Sequence, residues 1–157
     1  MVKSIAIVGG SSDIAKSTIS SMSADNYKFH VLVRDDSHTD ELLAKGVSVV
    51  LGDATSEEDI KNFISRVKES GEISAILHCV GSFAVRPPHA MNKEAFETVI
   101  STNLTSAFLT LSIAGKAMLS QGHGRMVFMS SVAGSLGLVN HEAISAAKGG
   151  VESMVRS

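Results

Sequence analysis

Five short apolar runs alternate along the chain with longer stretches of helical periodicity. The runs are SIAIVG (4–9), FHVLVR (29–34), VSVVLG (47–52), ISAILHCV (73–80) and RMVFMS (125–130). Runs of this length, bounded by Gly, Asp or Ser, are typical of strands that are covered on both faces of a parallel sheet. The order therefore predicts an α/β fold with a doubly wound, Rossmann-like parallel sheet. In such a sheet the ligand crevice lies just after the strands, where the winding reverses.

Two helices can be placed from the sequence. Residues 56–70, SEEDIKNFISRVKES, carry an apolar stripe at helical spacing, and Ser56 with Asp59 three residues later predicts a capping box. The stripe consists of Ile60, Phe63, Ile64 and Val67. Residues 103–121, NLTSAFLTLSIAGKAMLSQ, are apolar on nearly every side. This second helix is either wholly internal, or covered by the sheet on one side and by a partner on the other.

Length, charge and cysteine content limit the possible classes. A chain of 157 residues predicts a single domain over 1–157, and a net charge of −2 gives no support for a nucleic-acid partner. Cys79 is the only cysteine, which rules out an internal disulfide, and the first residues lack the layout of a signal peptide. Lys116 and several hydroxyl residues interrupt 103–121, so we expect no membrane span and a cytoplasmic location.

The turn after the first run, VGGSSDIA (8–15), is rich in glycine and opens a predicted helix. Free backbone N–H groups and the helix dipole at such a turn favour a pyrophosphate. The turn resembles the TGxxxGxG motif of the short-chain dehydrogenase/reductase family. Gly9 matches the first glycine, whereas Asp13 and Ala15 stand where the second and third would be. We expect Asp13 to cap the helix and to direct its charge away from a phosphate.

The resemblance continues in the same order along the chain. The end of the second run, VLVRD, places Arg34 where family members that use NADP carry a base, although Arg34 could instead be a surface residue paired with Asp35. GDAT corresponds to the adenine contact of the family, HCVG (78–81) to its NNAG motif, and STNLTSAF supplies its asparagine. The resemblance implies cofactor contacts from Gly9, Ser11, Ser12, Asp13, Ile14, Arg34, Asp53, Ala54, Cys79, Val80, Gly81 and Lys148.

The resemblance also implies a catalytic set of Ser131, Lys148 and Asn103, but its tyrosine is missing. The position four residues before Lys148 is Ile144, which cannot donate a proton. The only tyrosine, Tyr27, precedes the second run and is not expected to fill the gap. His141 is either a substitute acid, one helical turn before Ile144, or an ordinary histidine at the start of the helix. The histidines 30, 38, 78, 89, 123 and 141 lack ligand spacing, so no metal site is expected.

Two functions remain open on these residues. The first is an NADP-dependent oxidoreductase, with NAD a weaker alternative, acting on a small carbonyl or alcohol substrate. The second is a catalytically impaired or non-catalytic module for cofactor binding or assembly; a nucleotide-sugar epimerase is more remote. Family members usually continue beyond VESMVRS, so we expect a fold truncated after the fifth strand and its following helix. The apolar helix and an uncovered fifth strand predict a homo-oligomer.

Overall fold

The computed structural model describes residues 3–22, 26–37 and 39–157. Its five strands form one parallel sheet with the order β3-β2-β1-β4-β5. They are β1 (Lys3–Val8), β2 (Tyr27–Val33), β3 (Ser48–Leu51), β4 (Ile73–His78) and β5 (Arg125–Phe128). The order runs outward from β1 in both directions, so the winding reverses between β1 and β4. The predicted doubly wound α/β sheet is confirmed, and the reversal places a ligand crevice beyond the ends of these two strands.

Helices connect the strands. They are α1 (Asp13–Ser21), α2 (Thr39–Ala44), α3 (Glu57–Glu69), α4 (Lys93–Ile100), α5 (Ser106–Gln121), α6 (Val132–Leu136) and α7 (Glu142–Arg156). A 3₁₀ turn, Pro88–Ala90, precedes α4, and a π-helical segment, Ser101–Thr105, joins α4 to α5. The helices cover both faces of the sheet, as the continuous apolar runs require.

Every predicted strand is present, but its carboxyl end comes one or two residues earlier than the apolar run suggests. Residues 9, 34, 52, 79–80 and 129–130 lie outside the strands. These residues turn the backbone from the sheet toward the next element. The apolar pattern does not mark this change, because a residue in the crevice can be as apolar as one in a strand.

Alternate residues of β1 supply two separate cores. Ala6 and Val8 pack with the α3 stripe, together with Ala114 and Met118 of α5. Ile5 and Ile7 pack on the opposite face, in a cluster that includes Ile19 of α1 and Leu42 of α2. This alternation follows from the two-residue period of a strand, and it fixes which helix lies on which face.

The predicted helix start at Ser56 is confirmed in one of its two hydrogen bonds. Ser56 Oγ accepts from the Asp59 backbone N–H at 3.2 Å, and the apolar stripe of α3 is buried. The Asp59 carboxylate does not reach back to Ser56; its Oδ2 accepts from the Asp53 backbone N–H at 2.8 Å. The capping box is therefore wrong in its second half, because Asp59 stabilises the loop between β3 and α3 instead.

The helix predicted at 103–121 is part of a continuous helical stretch from Lys93 to Gln121, 29 residues long. By length and composition alone this stretch could cross a membrane, a test that core helices of soluble proteins also pass. One side packs on the sheet, whereas Phe108 is 55% exposed and Leu119 is 84% exposed. The interpretation of a wholly internal helix is therefore wrong.

Candidate cofactor and catalytic site

A cavity of about 520 Å³ opens at the carboxyl ends of the central strands. It lies at the reversal between β1 and β4, where this fold places its ligands. Its lining residues are Gly9, Ser11, Ser12, Leu32, Arg34, Asp35, Gly52, Asp53, Ala54, Thr55, Cys79, Val80, Gly81, Thr98, Ser101 and Thr102. Most of the residues expected from the sequence to contact a cofactor line this one cavity: Gly9, Ser11, Ser12, Arg34, Asp53, Ala54, Cys79, Val80 and Gly81.

Gly9 forms the floor of the cavity, and its conformation requires glycine. Its φ is +88°, in the left-handed region. A Cβ atom at this position would stand 2.9 Å from both the carbonyl carbon of Cys79 and the nitrogen of Val80. The turn after β1 therefore lies directly against the backbone that follows β4. This contact forms the wall of the cavity nearest the sheet.

Helix α1 begins at the edge of the cavity and is capped by Ser12, not by Asp13. Ser12 Oγ accepts from the Ala15 backbone N–H at 3.2 Å, and Asp13 is already the first helical residue. The expectation that Asp13 is the cap was wrong, because the serine hydroxyl one position earlier makes that bond. The side chains of Asp13 and Ile14 border a separate open depression with Ser17, Thr18, Ser21 and Met22.

The backbone of this first turn remains suited to an anion. Ser12 accepts from Ala15 through its hydroxyl and from Lys16 through its carbonyl. Among the described residues, no acceptor is found for the N–H groups of Asp13 and Ile14. Unsatisfied N–H groups at a helix N-terminus, with the positive end of the dipole, favour an anionic group.

At the far end of the cavity, Arg34 and Asp53 lie beyond β2 and β3. Asp53 Oδ1 accepts from the backbone N–H and from the hydroxyl of Thr55, both at 2.8 Å. These two bonds, followed by the charge of Arg34, hold the pKa of Asp53 below its usual range. Asp53 therefore carries a fixed negative charge, and the exposed Arg34 offers a guanidinium at the mouth of the cavity.

At the other end, Asn103 and Lys148 converge on Gly81. A Cβ atom at Gly81 would lie 3.2 Å from Asn103 Oδ1 and 3.8 Å from Lys148 Nζ. Lys148 is buried and donates from Nζ to the Met129 carbonyl oxygen at 2.8 Å. Burial is the largest cause that lowers the pKa of Lys148. The structure thus brings residues from the loop after β4, the π segment and α7 to one place.

Asn103 is fully buried and its amide is used by the protein itself. Its Oδ1 accepts from the Ser82 backbone N–H at 3.2 Å, and its Nδ2 donates to Ser82 Oγ at 2.9 Å and to the Val99 carbonyl at 3.0 Å. The asparagine therefore fixes the loop after β4 to the helix that carries it.

Ser131 occupies the N-cap of α6, at the end of the short loop that follows β5. Its Oγ accepts from the Ala133 backbone N–H at 3.2 Å. The side chain is half-buried, and its hydroxyl hydrogen remains free to be donated elsewhere, since the bond to Ala133 uses only an oxygen lone pair.

Comparison with known proteins identifies the family. A sequence profile described as short chain dehydrogenase matches residues 3–157. The chain belongs to the short-chain dehydrogenase family. It is similar to the 3-oxoacyl-(acyl-carrier-protein) reductase MabA of Mycobacterium tuberculosis, with 31% identity over 156 residues, 99% of this chain and 61% of that protein.

Solved structures share the fold of this short-chain dehydrogenase chain. An actinorhodin polyketide ketoreductase with NADPH aligns with a TM-score of 0.89 and 25% identity, covering 98% of this chain and 62% of that one. ElxO with NADP bound aligns with a TM-score of 0.90 and 22% identity, covering 98% and 65%. The chain spans about 60% of the length of the curated relatives it matches.

Position 144, where the sequence resemblance leads one to expect a tyrosine, is occupied by a core residue. Ile144 is only 5% exposed and packs in a cluster with Val99, Ala133 and Ala143. Tyr27 begins β2 and so lies at the amino end of the sheet, opposite the cavity. Ile144 has no hydroxyl, and the hydroxyl of Tyr27 is at the wrong end of the sheet to act beside Lys148.

His141 directly precedes α7 and its ring is held from two sides. Nδ1 lies 2.8 Å from the Val139 carbonyl oxygen, which assigns the proton to Nδ1 in the neutral ring. The ring meets Phe83 edge-on, with centroids 5.8 Å apart. No contact among the described residues places Nε2 beside Ser131 or Lys148.

His78 is a buried structural residue in the motif HCVG. Its Nε2 lies 2.9 Å from Ser106 Oγ, and burial, followed by the charge of Lys148, lowers its pKa to about 4. Ser106 donates its own hydroxyl to the Thr102 carbonyl, so His78 donates to Ser106. Within residues 3–22, 26–37 and 39–157, no three His, Cys, Asp or Glu side chains are grouped to hold a metal; His38 lies outside these ranges.

The sequence did not point to several residues that line the cavity. They are Leu32, Gly52, Thr55, Thr98, Ser101 and Thr102, with Asp35 considered only as a partner for Arg34. Thr98, Ser101 and Thr102 come from the helix that leads to Asn103. The only signal for them was their position before that asparagine, because a hydroxyl residue within a helical pattern does not reveal which side it faces.

Proposed function

We propose that this chain binds NADP(H) along the cavity and takes part in hydride transfer between that cofactor and a carbonyl or hydroxyl carbon. The observation that carries the proposal is the convergence of Lys148 and Asn103 on Gly81, at one end of a cavity whose other end carries Arg34. The proposal is supported by the family, and by the NADP named with ElxO and the NADPH named with the polyketide ketoreductase.

The residues present fit such a dinucleotide. The turn after β1 approaches the backbone after β4 so closely that no side chain fits at Gly9. Because Gly9 lines the cavity and has no side chain, the cavity at this point stays open to a ligand. The free N–H groups at the start of α1 suit a pyrophosphate. A guanidinium such as Arg34 binds a phosphate through paired hydrogen bonds, which favours a 2′-phosphate over a bare ribose hydroxyl.

When bound, the nicotinamide supplies or accepts the hydride. Lys148 would hold a ribose hydroxyl with its ammonium, Asn103 keeps the loop after β4 in place, and Ser131 would donate its hydroxyl to the substrate oxygen. A positioned general acid raises the rate of such a reaction by about 10²- to 10⁴-fold, so the absence of one at position 144 predicts slow turnover. The substrate class proposed is a small carbonyl or alcohol.

A second candidate is a module that binds the cofactor without turnover, and the burial of Ile144 favours it. Both candidates require the same cavity and differ only in the chemical step. The cytoplasmic location and the homo-oligomeric state expected from the sequence stay predictions under either candidate.

The test is a fluorescence titration with NADPH and NADH, followed by a panel of carbonyl substrates. We expect NADPH to bind, and Lys148→Met to weaken binding by about 10- to 150-fold, the range for a lost hydrogen bond to a charged group. Lys116→Met, which removes a lysine of α5 that lies outside the cavity, is the matched control and should leave binding unchanged. Binding without oxidation of NADPH by any substrate supports the second candidate, and absence of binding overturns both.

A further inference from the structure

A carboxylate on α7 holds the chain on both sides of Ser131. Glu152 Oε1 accepts from Ser130 Oγ and from Ser135 Oγ, both at 2.6 Å. Ser130 directly precedes Ser131, and Ser135 lies in α6, the short helix that Ser131 caps. One oxygen atom therefore ties together the two ends of the segment that presents the Ser131 hydroxyl.

The same face of α7 carries Lys148. Lys148 and Glu152 are four residues apart, which is about one helical turn. Lys148 bonds to the carbonyl of Met129, and Glu152 bonds to the hydroxyl of the next residue, Ser130. Two side chains of one helix thus hold two consecutive residues of the loop after β5.

The backbones of α6 and α7 also touch. A Cβ atom at Gly134 would stand 2.9 Å from the nitrogen of Gly149 and from the carbonyl carbon of Lys148. This contact, with Ala133 buried in one cluster with Ala143 and Ile144, sets the distance between the two helices. The hydrogen bonds of Glu152 add polar contacts at both ends of the segment that carries Ser131.

Helix α6 has little else to stabilise it. It is five residues long, and a helix of that length is not stable alone in water. Val132 is 62% exposed and Leu136 is 80% exposed, and Ala133 is its only buried residue. Its order therefore depends on side-chain contacts to α7.

We propose that Glu152 is a positioning residue, which fixes α6 and thereby holds the Ser131 hydroxyl in a set position relative to Lys148. The structural part of this proposal stands on the contacts alone, and the consequence for a substrate rests on the proposed function. A carboxylate suits the role because hydrogen bonds to an ionised acceptor are shorter and stronger than neutral ones. The two serine hydroxyls hold the pKa of Glu152 below its usual range, so the charged form persists.

The first test measures amide hydrogen exchange in α6 by NMR. The Gly134 N–H donates to the Ser131 carbonyl at 2.9 Å and the Gly137 N–H to that of Ala133 at 3.0 Å, so both report on the order of α6. We expect Glu152→Ala to speed their exchange by about tenfold and Glu152→Gln, which keeps one acceptor oxygen, to restore part of the protection. The Ala133 backbone N–H donates to Ser131 Oγ, so its resonance reports on that hydroxyl. We expect this resonance to shift more in Glu152→Ala than in Glu152→Gln.

Arg156→Ala is the matched control. Arg156 lies 3.9 Å from the other oxygen of Glu152 and is exposed, so its removal leaves both serine bonds intact. We expect no change in the exchange of Gly134 and Gly137. A second set, Ser130→Ala, Ser135→Ala and their combination, should be non-additive with Glu152→Ala, because each serine change removes one of the two bonds that Glu152→Ala removes together.

Unchanged exchange in Glu152→Ala overturns the proposal, and so does equal exchange in Glu152→Ala and Arg156→Ala. NADPH binding separates local positioning from general disruption of α7: we expect its Kd to stay within about twofold, since the bond of Lys148 to Met129 remains. A parallel loss of NADPH binding and of thermal stability would instead assign Glu152 a purely structural role, against the proposal. If the unchanged chain binds no NADPH, the proposed function fails while the exchange data still decide the role of Glu152.

Discussion

The Lys148 ammonium donates a hydrogen bond to the carbonyl oxygen of Met129, 2.8 Å away. This bond directs the side chain to the loop after β5 and leaves Nζ beside Gly81, at the end of the cavity. The lysine is therefore held by the backbone and does not need a partner at position 144. The lack of a proton donor at position 144 therefore does not alter where the ammonium is held.

Arg34→Ala should weaken NADPH binding by about 1.5–3 kcal/mol and leave NADH binding nearly unchanged. The reason is that only NADPH carries the 2′-phosphate that a guanidinium at the end of β2 would bind. Fluorescence titration of both cofactors checks this, with Arg66→Ala, an exposed arginine on α3, as the control. Equal losses for NADPH and NADH would contradict the assignment of Arg34.

Ile144→Tyr should raise carbonyl reduction by about 100-fold in a chain extended to the length of its relatives, the lower end for a general acid. A tyrosine four residues before Lys148 lies on the same helix face, and the ammonium would lower its pKa. Because Ile144 is buried in an apolar cluster, the larger side chain should also cost about 1–3 kcal/mol in the free energy of unfolding.

Two variants serve as controls for that result. Ile144→Phe has nearly the same bulk as tyrosine without the hydroxyl, so it should lose stability and gain no activity. His141→Ala in the unmodified chain should leave activity within about threefold, since the contacts of that ring direct it to Val139 and Phe83. Activity that disappears in His141→Ala, with no gain in Ile144→Tyr, would show that histidine had replaced the tyrosine.

The free energy of unfolding should fall as the pH drops from about 6.5 toward 4. The pKa of buried His78 is about 4 in the folded chain, against an ordinary value of 6.5, so the unfolded chain binds the proton first. The loss over this window should be about 3 kcal/mol from His78, and His30, whose pKa burial also lowers, adds to it in the same direction. Urea unfolding at about pH 7.5, 6 and 5 measures the free energy of unfolding across this window. His78→Gln, which keeps a donor toward Ser106, should flatten the dependence; an equally steep profile would exclude His78 as its source.

Gly9→Ala should destabilise the chain by at least about 2 kcal/mol, from a left-handed backbone and a clash with the residues after β4. Gly46→Ala is the matched control, since Gly46 has φ +73° with no atom within 4 Å of the added carbon. It should show only the conformational cost, about 1 kcal/mol. Thermal unfolding of both variants distinguishes the two contributions, and equal losses would show that the contact with Cys79 and Val80 contributes nothing.

The chain should self-associate, because the exposed side of α5 carries Phe108 and Leu119, and β5 is an edge of the described sheet with Val127 partly exposed. Light scattering at protein concentrations on the order of tens of micromolar measures the molar mass and so the self-association. Phe108→Ser should weaken association if α5 is the contact, whereas Val127→Lys should do so if the β5 edge is. A clean monomer would contradict both sources.

The sequence predicted those residues of the candidate site that directly follow a strand. The runs that became β1 to β5 set which residues follow a strand, so Arg34, Asp53 and Gly81 were expected at one edge of the sheet and all line the cavity. Asp13 was misassigned because the choice between it and Ser12 as the cap turns on a difference of one residue in where α1 begins. Thr98 and Thr102 were missed because a hydroxyl residue in a helical pattern does not reveal whether it faces a cavity or solvent.

The sequence by itself determined the fold class and the order of its strands and helices, since apolar period and turn residues are local properties of the chain. Only the tertiary structure decided that Ile144 is buried beside Ala133 and that the Asn103 side chain hydrogen-bonds to Ser82. It also decided that Glu152 accepts hydrogen bonds from two serines near Ser131. Each of these contacts joins residues at least 11 positions apart, counting from Ala133 to Ile144. Such contacts depend on how the helices lie on the sheet, which no local pattern specifies.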